Sequence, residues 1–190
     1  MKIGKTLYVR TREAWRAWLA RHHESASEIW LVYYKKHSGK PRIPYNDAVE
    51  EALCVGWIDG IAKPVDDVCW VQRFSPRRST SRLSDMNRER VRRLVAARRM
   101  TQAGLERIKH VFDPRTDKTE RGRWTVPADI LRRLKRDPTI WKNFRRFPAS
   151  YRRIRIGWIV AARKRAEVFE QRLGHFLKMT ATNKRFGMVQ

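Results

Sequence analysis

The chain has 190 residues, with 44 Lys and Arg against 19 Asp and Glu, a net charge of +25 and a pI near 11.3. Hydrophobic residues make up 42% of it and aromatic residues 11%, eight of them tryptophan, which excludes a disordered polyelectrolyte. The charge favours an anionic partner, whether a phosphate-bearing ligand, nucleic acid or an anionic lipid surface, and no run approaches the ~20 apolar residues that span a bilayer.

Residues 1–10 read as an extended lead. Thr11 is placed to cap a helix on which Ala14, Trp15, Trp18 and Leu19 share a face, so the tryptophan pair reads as a core anchor. Residues 28–36, EIWLVYYKK, form the strongest strand. Ile29, Leu31, Tyr33 and Lys35 share one face, and Trp30, Val32, Tyr34 and Lys36 the other. Both faces are apolar, so this strand is expected to be central. Ala48, Val49, Ala52, Leu53 and Val55 recur at helical spacing, and Gly56 stands where a helix ends in the left-handed conformation. Residues 57–63 and 68–74 alternate on either side of Pro64-Val65-Asp66-Asp67, as a hairpin does. Pro76 ends the second strand.

Ser84 caps a helix predicted over 85–99, with Val91, Leu94 and Val95 inward and Arg88, Arg92 and Arg99 outward. Thr101 caps another, through Leu105, Ile108 and Val111. Residues 113–124 read as a charged linker. Beyond it come a helix over 128–136, a second over 139–147 opened by Asp137 and Pro138, and one long helix from Ser150. On that helix Tyr151, Ile154, Trp158, Ala161, Phe169 and Leu173 form a stripe. Residues 180–190 show no periodicity and read as a frayed tail. The expected fold class is α+β: a small antiparallel sheet of about three strands packed with helices, then an all-α C-terminal segment. The division is 1–112, linker 113–124, helical domain 125–179 and tail 180–190.

No metal-ligand spacing, nucleophile elbow or cofactor motif occurs, so no metal, cofactor or catalytic residue is expected. Cys54 and Cys69 lie among apolar neighbours and read as buried thiols of a reducing compartment. Residues 1–12 are basic and no apolar segment of signal-peptide type follows, so the expected location is the cytoplasm. Asp59 is the one acid inside the apolar motif. It reads either as a general base in a desolvated site or as the partner of an arginine such as Arg73 or Arg77, or of turn amides; pairing is the favoured reading. A cationic constellation surrounds it in sequence. Lys35 and Arg73 lie on strands, Arg77 on the loop, and Ser81, Ser84 and Asn87 lead into a helix start. With Tyr33, Trp57 and Trp70 as aromatic walls, these residues make an oxyanion pocket. The competing reading has the arginines stacked on tryptophans as a clasp. A separate possibility is nonspecific nucleic-acid binding, with Arg88, Arg92, Arg99, Arg152 and Arg163 on phosphates. No helix-turn-helix or RNA-recognition signature supports more than backbone contact.

ALCVGWIDG, the hairpin and QRFSPRRSTSRLSDMN resemble the YdeI/OmpD-associated family of bacteriocin-protection proteins. Trp15, Trp18 and EIWLVYYKK upstream and RMTQAGL downstream extend the resemblance over nearly the whole chain. Leu83 stands where the family has tryptophan, and Val168-Phe169 where it has a Thr-Arg pair. The resemblance implies a link to envelope stress and antimicrobial-peptide resistance, not a reaction. With the charge, it leads to the expectation of a non-enzymatic protein that binds an anionic partner. The alternatives are a nonspecific nucleic-acid-binding module, and a small-anion-binding protein or cryptic enzyme at the Asp59/Arg73/Arg77 pocket.

Overall fold

A four-stranded mixed sheet lies in the first of two units, Met1–Asp117 and Lys118–Gln190, in a computed structural model that describes residues 2–113 and 124–187. The first unit runs β1 (Thr6–Leu7), α1 (Arg12–His22), β2 (Ile29–Tyr34), α2 (Tyr45–Cys54), β3 (Trp57–Pro64), β4 (Cys69–Pro76), α3 (Asp85–Ala96) and α4 (Gln102–Ile108). The strand order is β1-β2-β4-β3. β3 and β4 form the expected hairpin, and β4 pairs antiparallel with β2, Tyr33 opposite Trp70 and Ile29 opposite Phe74. The α+β class is as expected, but the sheet is neither three-stranded nor purely antiparallel. β1 pairs parallel with β2, and two residues are too few to show a period of two.

Asp59 faces Phe74 while Ala62 faces Gln72, so β3 carries one extra residue between them. Such a bulge takes a backbone group out of the ladder. Here Gln72 Nε2 donates to the Gly60 carbonyl at 2.6 Å.

The caps fall where the sequence places them. Thr11 accepts from the Ala14 N–H, Ser84 from Asn87 and Thr101 from Gly104. Ile29, Leu31, Tyr33, Trp57 and Phe74 form one core with Trp15, Leu19, Val49 and Leu53 of α1 and α2. Trp15 stacks on Trp18 at 5.3 Å and donates to the Ala48 carbonyl at 3.0 Å. Leu83 belongs to the same core. Gly56 takes φ +77 after α2. At Gly104 a Cβ would lie 2.1 Å from the Cys54 carbonyl oxygen, so α4 can cross the end of α2 only with glycine there. α3 stops at Ala96, and Arg98 is left-handed at φ +54. Arg99 is therefore off the helix, not on its outward face beside Arg88 and Arg92.

The second unit is helical: α5 (Ala128–Lys135), α6 (Pro138–Arg146), α7 (Ala149–Val160) and α8 (Ala166–Ala181). Asp137 caps α6 through Thr139 and Ile140, with proline in the first turn. The one long helix expected from Ser150 is instead the pair α7 and α8. Its stripe hides the break, because no member falls between Ala161 and Phe169. In that gap Arg163, Lys164 and Arg165 follow a helix C-terminus, where cations are favourable. Folding back buries Ile154, Ile159, Leu173 and Phe176. The expected tail is also corrected. Thr180 is buried in α8, and Asn143 Nδ2 donates to its carbonyl at 2.9 Å. Arg155 lies 4.2 Å from the Phe186 ring and donates to the Phe186 carbonyl, an anchor with no periodic signature. The linker expected at 113–124 falls, apart from its two end residues, outside the described residues. Among the described residues no helix is long and apolar enough to cross a membrane.

Candidate anion-binding site

Arg77 follows Pro76, the last residue of β4, and its N–H donates to the Gly56 carbonyl at 2.9 Å. The hairpin end and the left-handed glycine thus position it together. Its side chain is 1% exposed. Nη1 donates to the Arg82 carbonyl at 3.1 Å, which ties down residues 77–84. Nε and Nη2 are buried with no hydrogen-bond partner. Those two nitrogens form one edge of the guanidinium, a fork that takes a carboxylate or phosphate bidentately. Burial lowers the Arg77 pKa, and the charge of Asp59 opposes that.

Asp59 projects from β3 beside the bulge, and its Oδ2 accepts from the Tyr45 hydroxyl. Burial pushes the Tyr45 hydroxyl pKa up, and Asp59 adds to it through the bond and its charge. Arg90, 6% exposed, donates to Asn87 Oδ1 at 2.8 Å and Asn46 Oδ1 at 2.6 Å. Burial lowers its pKa, against Tyr45, Glu50 and Asp59. The Tyr33 hydroxyl is buried without a partner. Its pKa is raised by burial, with Tyr45 and Asp59 contributing. Trp70 stacks on its ring at 4.4 Å. Arg77 therefore has Asp59, itself bonded to a tyrosine, as its one carboxylate influence, while Arg90 has Glu50 as well. A buried cation short of counter-charge costs several kcal/mol.

Of the residues predicted to form the pocket, the structure places Arg77, Tyr33 and, through Arg90, Asn87 within electrostatic reach of Asp59, with Trp70 on the Tyr33 ring. It separates the others. Arg73 is opposite Trp30 in register, and its Nε bonds Glu28 Oε2 at 2.6 Å, so its pairing with Asp59 does not form. Strand alternation is the cause: Arg73 and Phe74 face opposite sides of the sheet. Lys35 Nζ clips the hairpin turn at the Asp66 carbonyl, 3.2 Å away. Ser84 uses its hydroxyl as a cap, and the Ser81 carbonyl lies 3.1 Å from His110 Nε2. Trp57 donates to the His23 carbonyl at 3.0 Å and meets Trp18 edge-on. It is a core residue, not a wall.

Tyr45 and Arg90 are the members that sequence reasoning missed. Arg90 had a signal: Asn87, Arg90, Val91 and Leu94 share one helical face, so its inward direction was legible from spacing. Tyr45 had none. The arrangement supplies donors and positive charge. Elsewhere, burial pushes the Cys54 thiol up to about 11, with Glu51 adding, which keeps it a thiol. Among the described residues no group of three or more side chains is placed to hold a metal.

The five arginines predicted to meet nucleic-acid phosphates are engaged internally. Arg92 bonds Glu89 at 2.5 Å, Arg99 bonds Glu51, and Arg163 bonds Asp129 at 2.9 Å. Arg88 lies over Phe112 and Arg152 over Phe144. Further exposed cations lie in the segment that also holds Arg152 and Arg163. Residues 124–187 hold seventeen Lys and Arg against four Asp and Glu. Arg132, Arg136, Lys142, Arg145 and Arg146, in and around α5 and α6, are exposed.

Two known families match the chain. The family described as "Domain of unknown function (DUF8412)" matches residues 7–107, which hold the sheet. The family described as "Bacteriocin-protection, YdeI or OmpD-Associated" matches residues 124–183, which hold α5 to α8. The expected resemblance is thus matched on the C-terminal helices, while the GWID…FSPRR block that suggested it falls within the other family. No curated protein and no solved structure matches the chain.

Proposed function

We propose that this chain, which belongs to the DUF8412 family through residues 7–107 and carries a YdeI/OmpD-associated segment over residues 124–183, binds a small oxyanion at Arg77 rather than catalysing a reaction. The observation that carries this reading is the unpartnered Nε/Nη2 edge of a guanidinium that is 1% exposed. A phosphate, sulfate or carboxylate there gives two buried donors their acceptors and gives Arg77 a second counter-charge beside Asp59. Asp59, with Tyr45 bonded to it, lies beside the site. The family description supports a place in bacteriocin protection. A chain of net charge +25 repels cationic peptides, so tolerance through an anionic ligand fits its charge better than peptide capture. Two buried free cysteines support a reducing compartment such as the cytoplasm.

Inorganic phosphate at constant ionic strength should raise the melting temperature, as any ligand selective for the native state does. Arg77→Lys keeps the charge and loses the fork, so it should remove most of that increment. Calorimetry of both proteins in phosphate and in chloride measures it. No increment in the wild type, or an equal one in Arg77→Lys, ends the reading. A lower melting temperature with no anion dependence makes Arg77 a clasp on the Arg82 carbonyl.

The basic excess of residues 124–187 favours a second reading, nonspecific contact with nucleic acid. Duplex DNA should then bind at low salt, with log K falling by ~0.9 per phosphate neutralised per decade of salt. Glutamine at Arg132, Arg136, Arg145 and Arg146 should flatten that slope. Anisotropy titrations at two salt levels decide it, and no binding at about 50 mM salt removes this reading.

A further inference from the structure

A cavity of about 420 Å³ lies among α1, the end of α2 and the residues just before α4, and shares no residue with the Arg77 site. Leu19, Val55 and Cys54 give it an apolar part, and Arg16, Glu51 and Arg99 a charged one. Glu51 is 2% exposed. Arg16 Nε and Nη2 grip its two carboxylate oxygens at 2.8 and 3.0 Å, and Arg12 and Arg99 also donate to it. Arg12 is shared with Asp47 at 2.9 Å and Glu50 at 2.6 Å. Arg16 and Arg99 have no other carboxylate among the described residues. Their side chains are 53% and 29% exposed. Arg16 Nη1 and both Nε and Nη1 of Arg99 have no protein acceptor among the described residues. Glu51 acts as a template: one fixed carboxylate holds two guanidiniums side by side at the edge of an apolar recess, each with N–H groups to spare.

We propose that this cavity binds an organic anion, a carboxylate, sulfonate or phosphate on an apolar body. The anionic head bridges Arg16 and Arg99, and the body packs against Leu19, Val55 and Cys54. The volume is that of a small-molecule site, and such sites combine an apolar lining with a few convergent polar groups. Two forked cations give the head its orientation. An inorganic anion would engage the arginines and leave the recess unfilled, so the cavity should prefer a ligand with both parts. No reaction is implied, because the thiol in the wall stays protonated.

Isothermal titration of the full chain with 1-naphthoate, the neutral 1-naphthalenemethanol and inorganic phosphate tests this. Naphthoate should bind roughly tenfold or more tightly than either control, the factor that a charge-assisted hydrogen bond of ~1.4 kcal/mol provides. Arg16→Gln should weaken naphthoate by about tenfold, and the fold should tolerate it because Glu51 retains Arg12 and Arg99. Ala20→Phe places a ring at the cavity wall without altering charge and should abolish binding. Equal affinity for the alcohol overturns the role of the arginines. Equal affinity for phosphate that persists in Arg77→Lys and is weakened by Arg16→Gln overturns the apolar requirement. Naphthoate binding that survives both substitutions, or no naphthoate binding at all, overturns the site. Arg77→Lys should leave naphthoate affinity unchanged, which separates failure here from failure of the Arg77 reading.

Discussion

Replacing Trp57 with alanine should lower the unfolding free energy by about 3–5 kcal/mol. The side chain is 1% exposed and lies in the core with Trp15, Leu19 and Phe74. Truncation loses that burial and leaves a cavity that the hairpin cannot close, since β3 is pinned to β4 through Pro76 and Ser75. It also removes the indole donor from the His23 carbonyl, 3.0 Å away, a part-buried acceptor for which the ~1–3 kcal/mol of an unmet buried group is an upper bound. Trp57→Phe separates the two effects, because it keeps most of the volume and loses the donor. Urea denaturation of the three proteins measures both. A loss below about 1 kcal/mol in Trp57→Ala would place it in the range of surface substitutions and restore Trp57 as a ligand platform.

Glu51→Ala should cost about 3 kcal/mol, the lower end for removing one member of a buried ion pair. Its partners Arg12, Arg16 and Arg99 reach solvent in part and can rehydrate, and Arg12 retains Asp47 and Glu50. Burial alone would raise the Glu51 pKa, but bonds from Arg16 and Arg12 and the charge of Arg99 overcome it and leave the pKa below the ordinary 4.5. A depressed folded-state pKa gives stability that is complete above the unfolded value and is lost as pH falls through the folded value. Melting temperature should therefore fall in acid below about pH 4.5, and more steeply in the wild type than in Glu51→Ala. Parallel acid slopes would show that Glu51 is not the group whose protonation loosens this unit.

Much of the Arg77 site was legible. Pro76 ending a strand, Arg77 on a stiff loop and Ser84 at a helix start all follow from short-range rules, and they put Arg77 where the structure has it. The partner of Asp59 was left open between Arg73, Arg77 and turn amides, because the β3 bulge that sets Asp59 opposite Phe74 has no local signature. Arg73 failed because its face depends on which strand lies beyond the hairpin: β2 brings Glu28 to it. Tyr45 was invisible because it reaches Asp59 from the start of α2, across a gap that no local pattern spans. The cavity was missed for the same reason. Arg12 and Arg16 stand one turn apart on α1, and Glu50 and Glu51 on α2, but nothing in either segment says that those faces meet.

The sequence by itself determined where elements begin and end. Thr11, Ser84, Thr101 and Asp137 cap helices, Gly56 turns the chain left-handed, and alternation lays out the hairpin. Each of these signals acts within a turn or two of backbone. Tertiary structure alone decided what the arginines do. Arg16 meets Glu51 across 35 residues, Arg73 meets Glu28 across 45 and Arg99 meets Glu51 across 48. A guanidinium on a long side chain takes whichever carboxylate, carbonyl or ring the fold brings within about 3 Å, and that choice depends on distance through space, not along the chain. The same +25 composition could have formed a bare cationic surface. Folding instead gave many of its arginines intramolecular partners, buried Arg77, Arg90 and Arg155, left one edge of Arg77 without a protein acceptor, and set Arg16 and Arg99 at the edge of a cavity.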